Sequence, residues 1–190
     1  MQWFTSDTHF WHRNALRFRP FDSVEAMNEH MIYTWNRLVR PDDDVYHLGD
    51  LSFAGMFKTV QVVRQLNGRK HWILGNHDEE LHGKASLVAL FQSIQDYKVL
   101  KVTDPDTPGG VQRIVLSHFP MLSWYAMHRG SWMLHGHSHG SLKHPYEGMR
   151  LMDVGVDPND FAPVSYPQVK AYMAGRRGHV CDQHEEKADA

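Results

Sequence analysis

The sequence predicts an α/β protein with two sheets packed together and helices outside. Short apolar runs of strand length alternate with helical patterns in the first half, and the later runs come with fewer helices between them. In addition, the polar residues richest in chemistry fall directly behind the apolar runs. Alternation of this kind predicts parallel pairing in the first half, and the thinning of helices predicts the second sheet.

Strands are predicted at 2–5, 45–48, 71–74, 113–116, 132–134 and 151–154, each a brief apolar run ending in a polar cluster. The clearest helix is 24–39, with Val24, Met27, Met31, Trp35, Leu38 and Val39 on one face, Asp22 and Glu25 as its capping box, and Pro41 as its stop. A second helix is predicted at 57–66, closed by Asn67 and Gly68, and a third at 85–93. A fourth covers 167–173, with Pro167 at its start and Gly175 beyond its end. The turn-rich stretch 104–110 reads as a hairpin loop between strands. From 176 to 190 the chain turns polar and loses periodicity, so a single domain is expected over 1–175 and a disordered tail after it.

Lys and Arg number 20 against 22 Asp and Glu, a net charge of -2, with no block of like charge to mark a nucleic-acid or membrane partner. Neither a signal peptide nor an apolar stretch approaching ~18 residues is present, so a cytoplasmic location is expected. Cys181 is the single cysteine, which excludes an internal disulfide or a cysteine-built zinc cluster and agrees with that compartment.

Histidine is the abnormal count, 15 in 190 residues, spread along the chain beside Gly, Asp and Asn. Five polar pieces follow predicted strands: Asp7-Thr-His9, Gly49-Asp50, Gly75-Asn76-His77-Asp78, Ser117-His118 and Gly136-His137-Ser-His139. Strand ends in α/β sheets converge on one crevice, so the five can meet. Asp7 and His9 are two apart, as are His137 and His139; in an extended backbone each pair points one way and can grip one ion. Gly49, Gly75 and Gly136 each precede a ligand candidate, where a bare backbone can turn sharply. Carboxylate, amide oxygen and imidazole together suit Mn²⁺, Fe²⁺ or Zn²⁺. Taken singly each piece is weak, and His118 alone reads as a core histidine; their order, each behind a strand, is what points to a metal site.

That order, Asp-x-His, Gly-Asp, Gly-Asn-His-Asp, His, Gly-His-x-His, resembles the calcineurin-like metallophosphoesterases. The stretches "TSDTHFWHRNALRFRPF" and "DVGVDPNDFAPVS" resemble the small single-domain bacterial and phage members. The resemblance implies a four-layer α/β/β/α sandwich of two mixed β-sheets flanked by helices. It implies two divalent metals, Mn²⁺ first, with Fe, Zn, Ni or Mg as substitutes. Asp7, His9, Asp50 and His139 would surround one ion, and Asp50, Asn76, His118 and His137 the other, with Asp50 bridging. The implied activity is hydrolysis of phosphodiesters, or of monoesters or nucleotides, by in-line attack of a hydroxide held between the ions. His77 is similar to the residue that protonates the leaving oxygen. Asp78 is expected to orient its ring, with a loop cap as the other reading.

The expected partner is a small phosphate ester or nucleotide. Arg13 and Asn14 are candidates for holding its phosphate or ribose, or else surface residues; His128 and Arg129 carry the same ambiguity. Asp153 and Asp157 are candidate supports behind the ligands or strand-end caps, and His135, of opposite strand parity, is expected behind the site. Trp11, Phe21, Trp124 and Trp132 read as core first and base-stacking walls second. Missing the Asp-Arg-Gly extension after Gly49-Asp50, and with Asp78 in place of Glu, the chain departs from the protein serine/threonine phosphatases. Two further readings stand beside the lead: a nuclease acting on nucleic-acid ends, and a non-catalytic metal-bound module that holds phosphate.

Overall fold

The computed structural model describes residues 1–143 and 148–176. The expected tail lies outside these from residue 177 onward, as does Cys181. Among the described residues nine strands form two mixed sheets. The first runs β4 (Ser93–Gln95), β3 (Arg69–Ile73), β2 (Asp44–His47), β1 (Gln2–Thr5), β9 (Val164–Ser165), parallel throughout except that β9 opposes β1. The second runs β5 (Tyr97–Thr103), β6 (Val111–Ser117), β7 (Trp132–His135), β8 (Leu151–Asp153), with β5 and β6 joined as an antiparallel hairpin through the expected 104–110 loop.

Strands of the first sheet are apolar on both faces because both are covered. Trp3, Val45 and Trp72 point outward to α1 (Val24–Leu38), α2 (Met56–Gln65) and α3 (Ala85–Val88), where Met27, Met31, Trp35, Val62, Val63 and Leu87 meet them. Phe4, Tyr46 and Ile73 point inward against Ile114, Leu116 and Leu134 of the second sheet. Each such burial contributes about 1.5–3 kcal/mol. The inter-sheet layer is closed by α4 (Tyr166–Met173), which inserts Tyr166, Val169 and Met173. The outer face of the second sheet, Val115, Met133 and Leu151, is covered by Trp124, Met127 and Met149, so this fourth layer consists of coil and a 3-10 turn over Met127–Arg129. Among the described residues no helix is long and apolar enough to cross a membrane.

Two local expectations are corrected and one strand is new. Helix α1 is capped by Ser23, whose side chain accepts from Ala26 N at 3.1 Å, and not by Asp22. The third helix, expected to run to Ser93, stops at Val88; Ser93 instead opens the edge strand β4, which pairs with β3. Strand β9 and its continuation into α4 were not expected; there Gln168 Oε1 accepts from Ser165 N at 2.9 Å and starts the helix.

Candidate metal centre

The loops behind β1, β2 and β3 meet those behind β6 and β7 at the strands' C-terminal edge. Asp7 N donates to Gly49 O and His9 N to Asp50 O, both at 3.0 Å, and Gly136 N reaches His118 O at 3.0 Å. The Asp7–His9 and His137–His139 pairs are not extended as expected. Asp7, His9, Asp50, His137 and His139 all sit at positive φ, between 47° and 66°. Each ligand candidate is thus swung inward by a left-handed turn, a conformation that costs a non-glycine residue on the order of 1 kcal/mol and is held by the surrounding hydrogen bonds. Close approach also explains Gly136: a Cβ there would collide with Ser6 Oγ and Asp7 Oδ2.

Two triads of donor atoms result, Asp7 with His9 and His139, and Asp7 with Asp50 and His118. Asp7 Oδ1 lies 3.7 Å from His9 Nε2 and 3.8 Å from His139 Nε2. Asp50 faces both groups, Oδ2 at 3.5 Å from His9 Nε2 and Oδ1 at 3.6 Å from His118 Nε2. Asn76 Oδ1 is 3.0 Å from that same His118 nitrogen. His137 lies beside the second triad, its ring at 72° to that of His118 with centroids 5.1 Å apart, while its backbone N–H donates to Asp7 Oδ2 at 2.9 Å.

These residues fit a divalent cation. Asp7 Oδ1 and His9 Nε2 are buried with no hydrogen-bond partner, an expensive state unless a cation takes their lone pairs. His118 Nδ1 donates to Leu48 O at 2.7 Å and His139 Nδ1 to Asp157 Oδ2 at 2.6 Å, which leaves each Nε2 as the lone-pair nitrogen turned inward. His9 Nδ1 lies 3.0 Å from His12 Nδ1; burial, then the neighbouring His9, push His12 down to about 4, so it is neutral and accepts from His9. Burial raises the Asp50 carboxyl, but the His9 ring 3.5 Å away and the His77 backbone N–H outweigh it and bring it to about 2.

His77 sits over this centre, with its side chain 49 % exposed and Nε2 4.0 Å from Asp50 Oδ2. Asp78 does not orient it. Its carboxylate accepts instead from the backbone N–H groups of Asp50 (2.9 Å), Leu51 (3.0 Å) and Gly75 (2.8 Å) and from Trp72 Nε1 (3.1 Å). Burial pushes this carboxyl up from its ordinary value. The loop-cap reading therefore replaces the orienting one.

Asp157 supports His139, whereas Asp153 pins its own loop through Ser138 Oγ (2.9 Å) and the Gly140 and Gly155 N–H groups (both 2.8 Å). His135 is buried with Nδ1 2.8 Å from Gly136 O. Arg13 and Asn14 are exposed on a 3-10 turn (Arg13–Arg17), and Arg13 lines a side cleft with Trp11, Phe53 and Lys58. His128 and Arg129 lie at the far end of the second sheet, before β7 begins. Trp124 and Trp132 are core, Phe21 packs on Phe161, and Trp11 is covered by Lys58, whose Nζ stands 4.3 Å from its ring centre.

Sequence reasoning missed Arg19, whose fully buried guanidinium holds Asp157, Asp7 O and Thr8 O. In a run of spaced arginines nothing marked it as different from a solvated one. It also missed Phe53, stacked on His12 at 3.8 Å and beside His9 (4.9 Å) and His77 (4.8 Å).

No protein-family model matches the chain. It is 32% identical over 168 residues to the uncharacterized protein MJ1445 of Methanocaldococcus jannaschii, covering 84% of each chain. It is 29% identical over 181 residues to the gene 66 protein of Mycobacterium phage L5, covering 82% of this chain and 86% of that one. Among solved structures, the protein of unknown function AQ665 from Aquifex aeolicus superposes with a TM-score of 0.64 at 26% identity, over 90% of this chain and 98% of that chain. With 32% identity to the archaeal protein sustained over 84% of both lengths, the chain belongs to the family of Methanocaldococcus jannaschii MJ1445.

Proposed function

We propose that the chain is a metal-dependent phosphoesterase of the calcineurin-like type, acting on phosphodiesters such as nucleotide derivatives. The observation that carries this reading is the pair of donor triads sharing Asp7, with Asp7 Oδ1 and His9 Nε2 buried and unpartnered between them. Asp7, His9, Asp50 and His139 would hold one ion and Asp50, Asn76, His118 and His137 the other. Two divalent ions, Mn²⁺ first for this oxygen and nitrogen set, supply Lewis-acid neutralisation of phosphoryl charge.

His77 does the work left to the chain itself. It is half exposed beside Asp50 and so stands where a substrate's leaving oxygen can receive its proton. Phe53 walls the same mouth and excludes water from one side. A module that only bound metal would need neither a histidine held at the opening nor an open face, and this favours an enzyme over a phosphate-holding module.

The test is a screen of mono-, di-, cyclic and anhydride phosphates with added Mn²⁺, together with metal analysis. Turnover of a diester that disappears on chelation and returns with Mn²⁺ is expected. Asp50→Asn should lose metal and nearly all turnover, while His77→Ala should keep the metal and slow poor leaving groups most. A protein that takes up no divalent metal, or hydrolyses none of these esters when loaded, would end the proposal.

A further inference from the structure

The second sheet carries polar side chains at both of its ends. At one, β6 and β7 finish next to His118, His137 and His139. At the other, where the same parallel strands begin, a separate cleft of ≈ 590 Å³ opens between the β5–β6 hairpin, the turn before β7 and the end of α4. Its wall carries Arg113, Arg129, Arg150, Lys170 and Arg176 against a single carboxylate, Asp106. These residues are scattered in sequence, and only folding gathers them.

Lys170 is neutralised locally by Asp104 (2.8 Å) and Asp106 (2.7 Å). The arginines are not: among the described residues, the ion pairs made by arginine within 4.0 Å belong to Arg19 and Arg69. Three of them are instead steered by groups that leave their charge intact. Arg150 Nε donates to Arg176 O at 3.1 Å, Arg176 Nε donates to Tyr172 O at 3.2 Å, and Arg129 Nε donates to His128 Nε2 at 3.1 Å. The Arg150 guanidinium reaches the turn that carries Arg129, since a Cβ on Gly130 would lie 2.8 Å from Arg150 Nη1.

Like charges gathered in a cleft repel by about 1 kcal/mol per close pair even in water, and concave walls focus their field. A chain of net charge -2 that gathers guanidinium groups here, without an ion pair among the described residues, presents a field that attracts an anion. We propose that this cleft binds a small, multiply charged phosphate-bearing anion of the diphosphate class. Guanidinium forks match phosphate oxygens in pairs, and the volume suits a small ligand.

Calorimetric titration of sodium diphosphate into the full chain, both with its metals and after chelation, tests this. One binding event should survive chelation, which separates it from the metal centre. That event should weaken at least about tenfold in Arg113→Gln/Arg150→Gln. It should stay unchanged in Arg37→Gln/Arg64→Gln, which removes the same charge from exposed positions of α1 and α2. Circular dichroism checks folding, and the single exposed substitution Arg129→Gln, expected to weaken binding in the same direction, decides if the double variant does not fold. Binding that vanishes on chelation, an unchanged affinity in the arginine variants, an equal loss in the control pair, or a single-stranded oligonucleotide binding more tightly than diphosphate would each overturn the proposal.

Discussion

Arg19 and Asp157 meet side on, Nε to Oδ1 and Nη2 to Oδ2, both at 2.8 Å. The same guanidinium donates to Asp7 O at 2.7 Å and Thr8 O at 3.0 Å, while Asp157 Oδ2 accepts from His139 Nδ1 at 2.6 Å. One buried cation thus holds both the left-handed loop that presents Asp7 and the carboxylate that presents His139.

Removing that cation should damage both. Arg19→Met leaves the Asp7 and Thr8 carbonyls without this donor and Asp157 with His139 alone, and breaking a buried pair of this kind costs about 3–5 kcal/mol. Arg19→Lys keeps the charge but not the two-pronged geometry and should lie between wild type and Arg19→Met. Urea denaturation measures the stability, and metal titration should show weaker uptake in both variants. Full stability in Arg19→Met would mean that the pair is dispensable.

Asp78 acts on the backbone, and its variants should say so. All its neighbours are donors, so Asp78→Asn turns an amide N–H₂ toward N–H groups and leaves them unsatisfied, at about 1–3 kcal/mol per group lost. Thermal unfolding should fall well below wild type. In the fraction that stays folded, the dependence of rate on leaving-group quality should match wild type and not His77→Ala. A leaving-group dependence like that of His77→Ala would restore the orienting role.

The convergence of the ligands was legible because it depends on strand ends, which short apolar runs reveal. Their local conformation was not. A two-residue spacing reads as extended backbone, yet Asp7 and His9 converge through left-handed turns held by Gly49 O and Asp50 O, contacts made by residues forty positions away that no local pattern records. Arg19 escaped for the same reason: its burial follows from Asp157, far along the chain. Strand β4 was not foreseen, and its first residue Ser93 was assigned to the preceding helix, because three residues are too few to show a period and only pairing with β3 makes them a strand.

Gly136 is fixed by space. A methyl group there would meet Ser6 Oγ and Asp7 Oδ2, so Gly136→Ala must displace either β1's exit or a ligand carboxylate. Overpacking of this sort costs about 1–3 kcal/mol, and the larger effect should be on the metal, because Asp7 belongs to both triads. Metal content by mass spectrometry should drop while circular dichroism stays native-like. Gly83→Ala, where a Cβ meets nothing, should be neutral and serves as the comparison.

Proton and metal compete for His9. Burial pushes its imidazole down, but the nearby carboxylates of Asp50 (3.5 Å) and Asp7 (3.7 Å) outweigh this and raise it above the ordinary 6.5. In metal-free protein a raised imidazole contributes stability that is fully present below 6.5 and lost as pH rises through the folded value. For Asp157, burial raises the carboxyl while His139 and Arg19 outweigh it and bring it to about 2 from 3.8; its contribution is present above 3.8 and lost as pH falls toward 2. The metal-free chain should therefore be most stable between these windows. A divalent cation must displace the His9 proton, so Mn²⁺ affinity should climb as pH rises from about 6 to 8, with protons released on binding. Calorimetry in buffers of different ionisation enthalpy counts those protons, and His9→Gln should release fewer. Affinity that stays flat over that range would remove His9 from the ligand set.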